Sequence, residues 1–210
     1  MNATTNKPSA KRRAWLTAIV LAFILLAALG FYFGNRWLSG KAQHELGMYY
    51  YNKATKSHFW GGSPETDMEE LGKAAAYFEQ ANAKGYHTKA AYLNMAQYYQ
   101  GTSNYKQEAA AYTGLLKLYP DSSNYYYYRA GCRQSMKDYQ GALQDYNEAL
   151  KHPGLLTYLK DTYYMRGAVK YILNPKDSTA AETDRKLAAK YNEYGTDTSP
   201  YKIFWKEADR

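Results

Sequence analysis

The side chains of this chain with the widest chemical repertoire are four histidines, His44, His58, His87 and His152, and one cysteine, Cys132. Imidazoles and thiolates hold zinc when they recur at short, fixed spacings, and a thiolate beside an imidazole is a nucleophile. None of these five residues has metal-ligand spacing with another. The chain carries no G-x-S-x-G, no H-E-x-x-H and no phosphate-binding glycine loop; Gly61-Gly62 is too short and follows no strand pattern. Acidic pairs such as Glu69-Glu70 read as solvated charges at a helix terminus. The expectation is no catalytic group, no cofactor site and no metal site, so not an enzyme. A lone cysteine excludes an intramolecular disulfide framework, and Cys132 reads as a small buried side chain inside a helix.

Tyrosine is the more abundant resource, with 25 residues against 6 phenylalanines in a chain of 210. Four stand in a row, Tyr125, Tyr126, Tyr127 and Tyr128. A ring with an apolar body and a polar tip suits half-buried helix packing and interface surfaces. The net charge of +8 does not indicate nucleic acid. Residues 1–38 hold Lys7, Lys11, Arg12, Arg13 and Arg36 with no acid, which is +5 and leaves +3 for the rest. No basic stripe remains on the folded part, so no nucleic-acid partner is expected.

From Ala14 to Phe33 the chain has no charge. A helix of that length is about 30 Å long, the thickness of a bilayer's hydrocarbon core. Trp15 stands at one end and Phe31, Tyr32, Phe33 and Trp37 at the other, as at two membrane interfaces. The expectation is a basic cytoplasmic tail over 1–13 and a transmembrane helix over 14–34. The positive-inside rule then gives a single-pass protein of a bacterial inner membrane with its C-terminal domain in the periplasm. The competing reading is a cleaved signal peptide with a small-residue site at Ala28-Leu29-Gly30.

The elements beyond residue 40 follow from a period of 34 residues. In the stretch starting at Lys89, Met95-Ala96 falls at positions 7–8, Tyr99 at 11, Tyr112 at 24 and Pro120 at 32. In the stretch starting at Ser123, Arg129-Ala130 falls at 7–8, Ala142 at 20, Tyr146 at 24 and Ala149 at 27. Leu46-Gly47 opens an earlier copy from Gly40, whose second helix carries Ala74, Phe78 and Ala81. Arg166-Gly167 opens a last copy. Small residues at 8, 20 and 27 let two helices approach, and the aromatic at 24 fills the space between them.

"KDYQGALQDYNEALKHP" (Lys137–Pro153) resembles the tetratricopeptide repeat family most closely. The resemblance covers roughly residues 40–194 and implies an all-α fold, a solenoid of about four helix pairs. The repeats are about 40–88, 89–122, 123–156 and 160–194, with a C-terminal tail over 195–210 expected to pack on the last helix. Gly47 lies 27 residues before Ala74, where Ala130 lies 12 before Ala142. The excess reads as an inserted loop, 54–68, after which Thr66 and Glu69 restart the helix as a capping box. Thr179 and Glu182 would cap the last helix likewise. That helix lacks the aromatic at 24, where Arg185 or Asp184 stands, as suits a terminal helix facing solvent.

The resemblance further implies a concave groove lined by the first helix of each pair. Carried over position by position, the groove residues are Asn94, Gln97, Asn124, Tyr127, Tyr128, Gln134, Tyr164 and Tyr171. Tyr126 falls at a packing position. Basic residues that hold acidic C-terminal peptides in some members are missing here, since Asn124 and Tyr128 stand at two of those positions. Phe59 and Trp60, beside Gly61-Gly62, form a second candidate site in the inserted loop. The expected function is a membrane-anchored scaffold or adaptor that binds a protein or peptide partner in the groove. The alternatives are an accessory, chaperone-like subunit of a translocon or envelope-assembly complex and, as the least favoured, an envelope enzyme.

Overall fold

The computed structural model describes residues 15, 18–26, 28 and 30, then 38–59, 64–151 and 158–191. From residue 38 on, the described residues form eight helices: α1 Gly40–Phe59, α2 Pro64–Ala83, α3 Lys89–Gly101, α4 Tyr105–Leu118, α5 Ser123–Ser135, α6 Tyr139–Ala149, α7 Leu159–Leu173 and α8 Thr179–Lys190. Each helix packs on the next in sequence, and α1 also touches α3. The result is an all-helical, repeat-like solenoid of four helix pairs.

The sequence positions that set the period are the positions that hold the helices together. Gly47, Ala96, Ala130 and Gly167, all at position 8, are buried. At Gly47 an added Cβ would lie 2.6 Å from Cε1 of Phe78, so the side chain at position 24 rests on the bare backbone of the facing helix. Phe78, Tyr112 and Tyr146 are all buried. So are Ala74 and Ala81, Ala142 and Ala149, and Ala181 and Ala188, the small residues of the second helices. Each such contact removes apolar surface from water at about 25 cal/mol per Å².

The turns repeat as well. Ser103 and Lys137, both at position 15, adopt positive φ (54° and 63°) and end the first helix of their pair. At position 16, Asn104 and Asp138 cap the next helix. The Asn104 Oδ1 accepts from the Gln107 amide at 3.4 Å, and the Asp138 Oδ1 from the Gly141 amide at 3.0 Å. These caps satisfy amides that a helix start leaves without intrahelical partners.

Three expectations need correction. The membrane span over 14–34 is overturned: among the described residues no helix is long and apolar enough to cross a membrane. The two twenty-residue helices, α1 and α2, are interrupted by charge, with Lys41, Glu45, Lys53 and Lys56 in the first and Glu65, Asp67, Glu69, Glu70, Lys73 and Glu79 in the second. The single-pass topology and the periplasmic location rested on that span and fall with it. The inserted loop 54–68 is mostly helix, since α1 runs to Phe59 and α2 begins at Pro64, so the excess lengthens both helices of the first pair. Proline at the first helical position has a suitable φ and no amide to leave unpaired. Finally, α8 is preceded by Ser178, which makes no side-chain cap, and the Thr179 amide instead donates to Asp177 Oδ1 at 3.2 Å. Trp60 and the tail 195–210 lie outside the described residues.

Candidate functional site

The expected groove residues divide by exposure. On α3, Gln97 is exposed, and Asn94 is half-buried with its amide nitrogen 3.9 Å from Sδ of Met48. Leu93, one residue before Asn94, is 38% exposed. On α5 and α7, Asn124, Tyr164 and Tyr171 are half-buried and each has interacting partners. Gln134 is buried, and its Oε1 accepts from the Tyr146 hydroxyl at 2.9 Å, so it braces the third helix pair from inside.

The tyrosine row is divided among four environments. Tyr127 stacks on Tyr158 with centroids 5.1 Å apart, and Tyr128 stacks on Tyr112 at 5.2 Å. The Tyr128 hydroxyl donates to that of Tyr158 at 3.1 Å, and burial with this bond pushes its pKa up to about 12. Tyr125 packs near Tyr112 and Tyr119. Tyr126 lies under the guanidinium of Arg129 at 5.6 Å. Rings at these separations attract beyond their buried area, by about 0.5–1.5 kcal/mol per pair. Tyr127 and Tyr128 thus join successive helix pairs through their faces and turn only part of each ring outward.

The most ordered polar arrangement is one that sequence reading passed over. Arg129 of α5 grips Asp145 of α6 with two bonds, Nε to Oδ2 at 2.9 Å and Nη2 to Oδ1 at 2.7 Å. Its Nη1 donates to Thr113 Oγ1 of α4 at 3.2 Å. Arg133, one turn on, adds a contact to Asp145 at 3.0 Å. The last pair repeats every part. Arg166 holds Asp184 at 2.8 and 2.6 Å and reaches Asn147 of α6 at 3.0 Å. Lys170 stands 2.8 Å from Asp184, and Tyr163 lies under the guanidinium at 5.5 Å. Thr113 and Asn147 both hold position 25 of their repeats. The unit is therefore Tyr at 4, Arg at 7, a second cation at 11, Asp at 23, and a polar side chain at 25 of the preceding repeat. The two aspartates are 3% and 1% exposed, and a bidentate guanidinium is what makes a carboxylate tolerable at that depth. The Asp145 side chain is also the reason the Arg129 pKa is raised. The signal in the sequence was the shared spacing Tyr-x2-Arg-x3-Arg/Lys, followed by an aspartate 16 or 18 residues after the arginine.

Position 20 shows one exception. Where the other repeats carry Ala74, Ala142 and Ala181, the second carries Glu108, which is buried. Burial raises its pKa against the lowering effect of a hydrogen bond with Cys132. Burial, and then the Glu108 charge beside it, pushes the Cys132 thiol up in turn, which keeps it protonated and a poor nucleophile. Two histidines have described side chains, each with its own partner. His44 shares a 2.9 Å hydrogen bond with Thr88, and His87 one of 2.8 Å with Tyr92. Among the described residues no group of three or more His, Cys, Asp or Glu could hold a metal ion.

Compared with known proteins, the chain matches no protein-family model and no curated protein.

Proposed function

We propose that this chain is a tetratricopeptide-type repeat protein that serves as a scaffold or adaptor, holding a protein or peptide partner along the first helices of its pairs. The observation that carries this reading is the buried small residue at position 8 of all four pairs, together with the left-handed position 15 and capping position 16 that recur at a 34-residue interval in the second and third. Stacked helix pairs of that kind present an extended surface made by neighbouring repeats. The outward positions here carry rings, amides and one exposed leucine, chemistry suited to a polypeptide.

The test uses Leu93→Glu and Gln97→Glu in the full chain, both at exposed sites on α3. Crosslinked partners of the wild type are identified, and each is then titrated against wild type and variants. The reading predicts that a direct partner binds the wild type and that the charged variants lose it with helicity unchanged. A partner bound equally by all three proteins, or no partner at all, contradicts it.

A further inference from the structure

In the third and fourth repeats a guanidinium fills the space between successive helix pairs. In the second repeat the same space is a cleft of about 200 Å³. It is lined by Glu79 and Asn82 of α2, Tyr92, Met95 and Tyr99 of α3, and Ala111 of α4. These are equivalent positions. Tyr92 stands at position 4, where Tyr126 and Tyr163 lie under their arginines. Met95 replaces the arginine at 7, and Ala111 the aspartate at 23. The carboxylate has moved instead to position 25 of the preceding helix, where Glu79 stands in place of Thr113 or Asn147. In the first repeat Tyr50 and Tyr77, at positions 11 and 23, stack on each other at 5.4 Å and occupy those positions with rings.

A second feature of the cleft stands apart from this alignment. Asn82 holds position 28, where the second and third repeats have Leu116 and Leu150. Its amide nitrogen donates to Met95 Sδ at 3.4 Å, and its Oδ1 is buried with no hydrogen-bond partner. A buried acceptor left unpaired costs about 1–3 kcal/mol, so a donor supplied from outside is favoured. Glu79 is exposed and accepts from the Tyr99 hydroxyl. The lining therefore offers one carboxylate, the amides of Asn82 and Gln107 and two tyrosine rings, with no lysine or arginine among it.

We propose that this cleft binds the guanidinium of an arginine side chain presented by a polypeptide partner. The cleft would use the same three kinds of group as the internal units with two of them exchanged: the tyrosine stays at position 4, the carboxylate of Glu79 stands at the exposed place of Asn147, and the neutral oxygen of Asn82 is the buried one. A planar fork of donors matches two separated acceptors, where an ammonium would serve as a point charge. Free arginine fits less well, because its α-carboxylate would find no cation in the lining and would face Glu79. The site is independent of the groove, since it uses positions 4, 7 and 11 of α3, not those of Leu93, Asn94 and Gln97.

The test is calorimetric titration of the full chain with acetyl-arginine-amide, against acetyl-citrulline-amide and free arginine. The wild type should bind the arginine derivative in preference to both. Glu79→Gln, at an exposed position, should weaken binding about tenfold or more, the loss of one charge-assisted hydrogen bond. Met95→Arg with Ala111→Asp installs the internal pair and should abolish binding while helicity is kept; should that variant not fold, Glu79→Gln alone decides. No binding by the wild type, equal binding of the citrulline derivative, or full affinity in Glu79→Gln overturns the proposal. Tighter binding of free arginine overturns the assignment to a polypeptide.

Discussion

Positions 7 and 23 of the repeat hold Met95 and Ala111 in the second helix pair, and Arg129 and Asp145 in the third. Position 11 holds Tyr50 and Tyr99 in the first two repeats but Arg133 and Lys170 in the last two. One architecture is thus closed in two ways. In the N-terminal half, Phe78, Ala74, Ala81 and Leu115 exclude water through area and shape, and the bonds between helices are single ones, such as Lys53 on Glu70 at 3.1 Å, His44 with Thr88 at 2.9 Å and the Tyr99 hydroxyl on Glu79. In the C-terminal half, directed bonds cross from helix to helix and from pair to pair. Area tolerates small errors of placement, whereas a bidentate ion pair fixes distance and angle together. The halves should therefore respond differently to the loss of one group, to a change of volume and to pH.

The largest difference is expected from Asp145→Ala. It leaves Arg129 partly buried without its carboxylate, at a cost of about 3–5 kcal/mol in chemical denaturation. Met95→Ala, at the position equivalent to Arg129 in the other half, should cost about 2 kcal/mol, the low end for such truncations, because one side already meets the cleft. A cost for Met95→Ala equal to that for Asp145→Ala would erase the distinction.

Glu108→Gln sharpens the comparison from another side, because Glu108 is an ionisable group buried at the α4 to α5 junction between the halves. Its folded pKa lies above the ordinary 4.5, so the native state binds the proton more tightly than the unfolded state. Stability from this group is therefore lost as pH rises from the ordinary value through the raised one. The glutamine variant should match the wild type near about pH 4 and exceed it at about pH 7.5, in paired urea titrations. A variant less stable than wild type at the higher pH would show the carboxylate to be well compensated. The smallest effect is expected from Tyr128→Phe, which keeps the stack on Tyr112 and removes the bond to Tyr158, at about 1 kcal/mol or less.

Sequence periodicity identified the starts of α1, α3 and α5 at Gly40, Lys89 and Ser123, because small and aromatic residues recur where helices touch. It misjudged the residues between Gly47 and Ala74. Their excess length and Gly61-Gly62 suggested a loop, but "NKATKSH" contains no helix breaker, and Pro64 begins a helix as readily as it ends one. The charged units were illegible for a different reason. Arginine and aspartate are read as solvated by default, and only the facing helix shows that Asp145 and Asp184 point inward. Likewise the partners of Tyr127 and Tyr128, Tyr158 and Tyr112, lie on other parts of the chain, so their stacking could not be read from the row itself.

The difference between the halves is tested most directly by a double-mutant cycle that converts the third pair to the chemistry of the second: Arg129→Met, Asp145→Ala and both together, with unfolding free energy measured for all four proteins. A buried pair can often be replaced by apolar groups at little cost, although removing one member is severe. The account predicts that the double variant is more stable than Asp145→Ala alone. A double variant as unstable as the sum of the two single changes would contradict it.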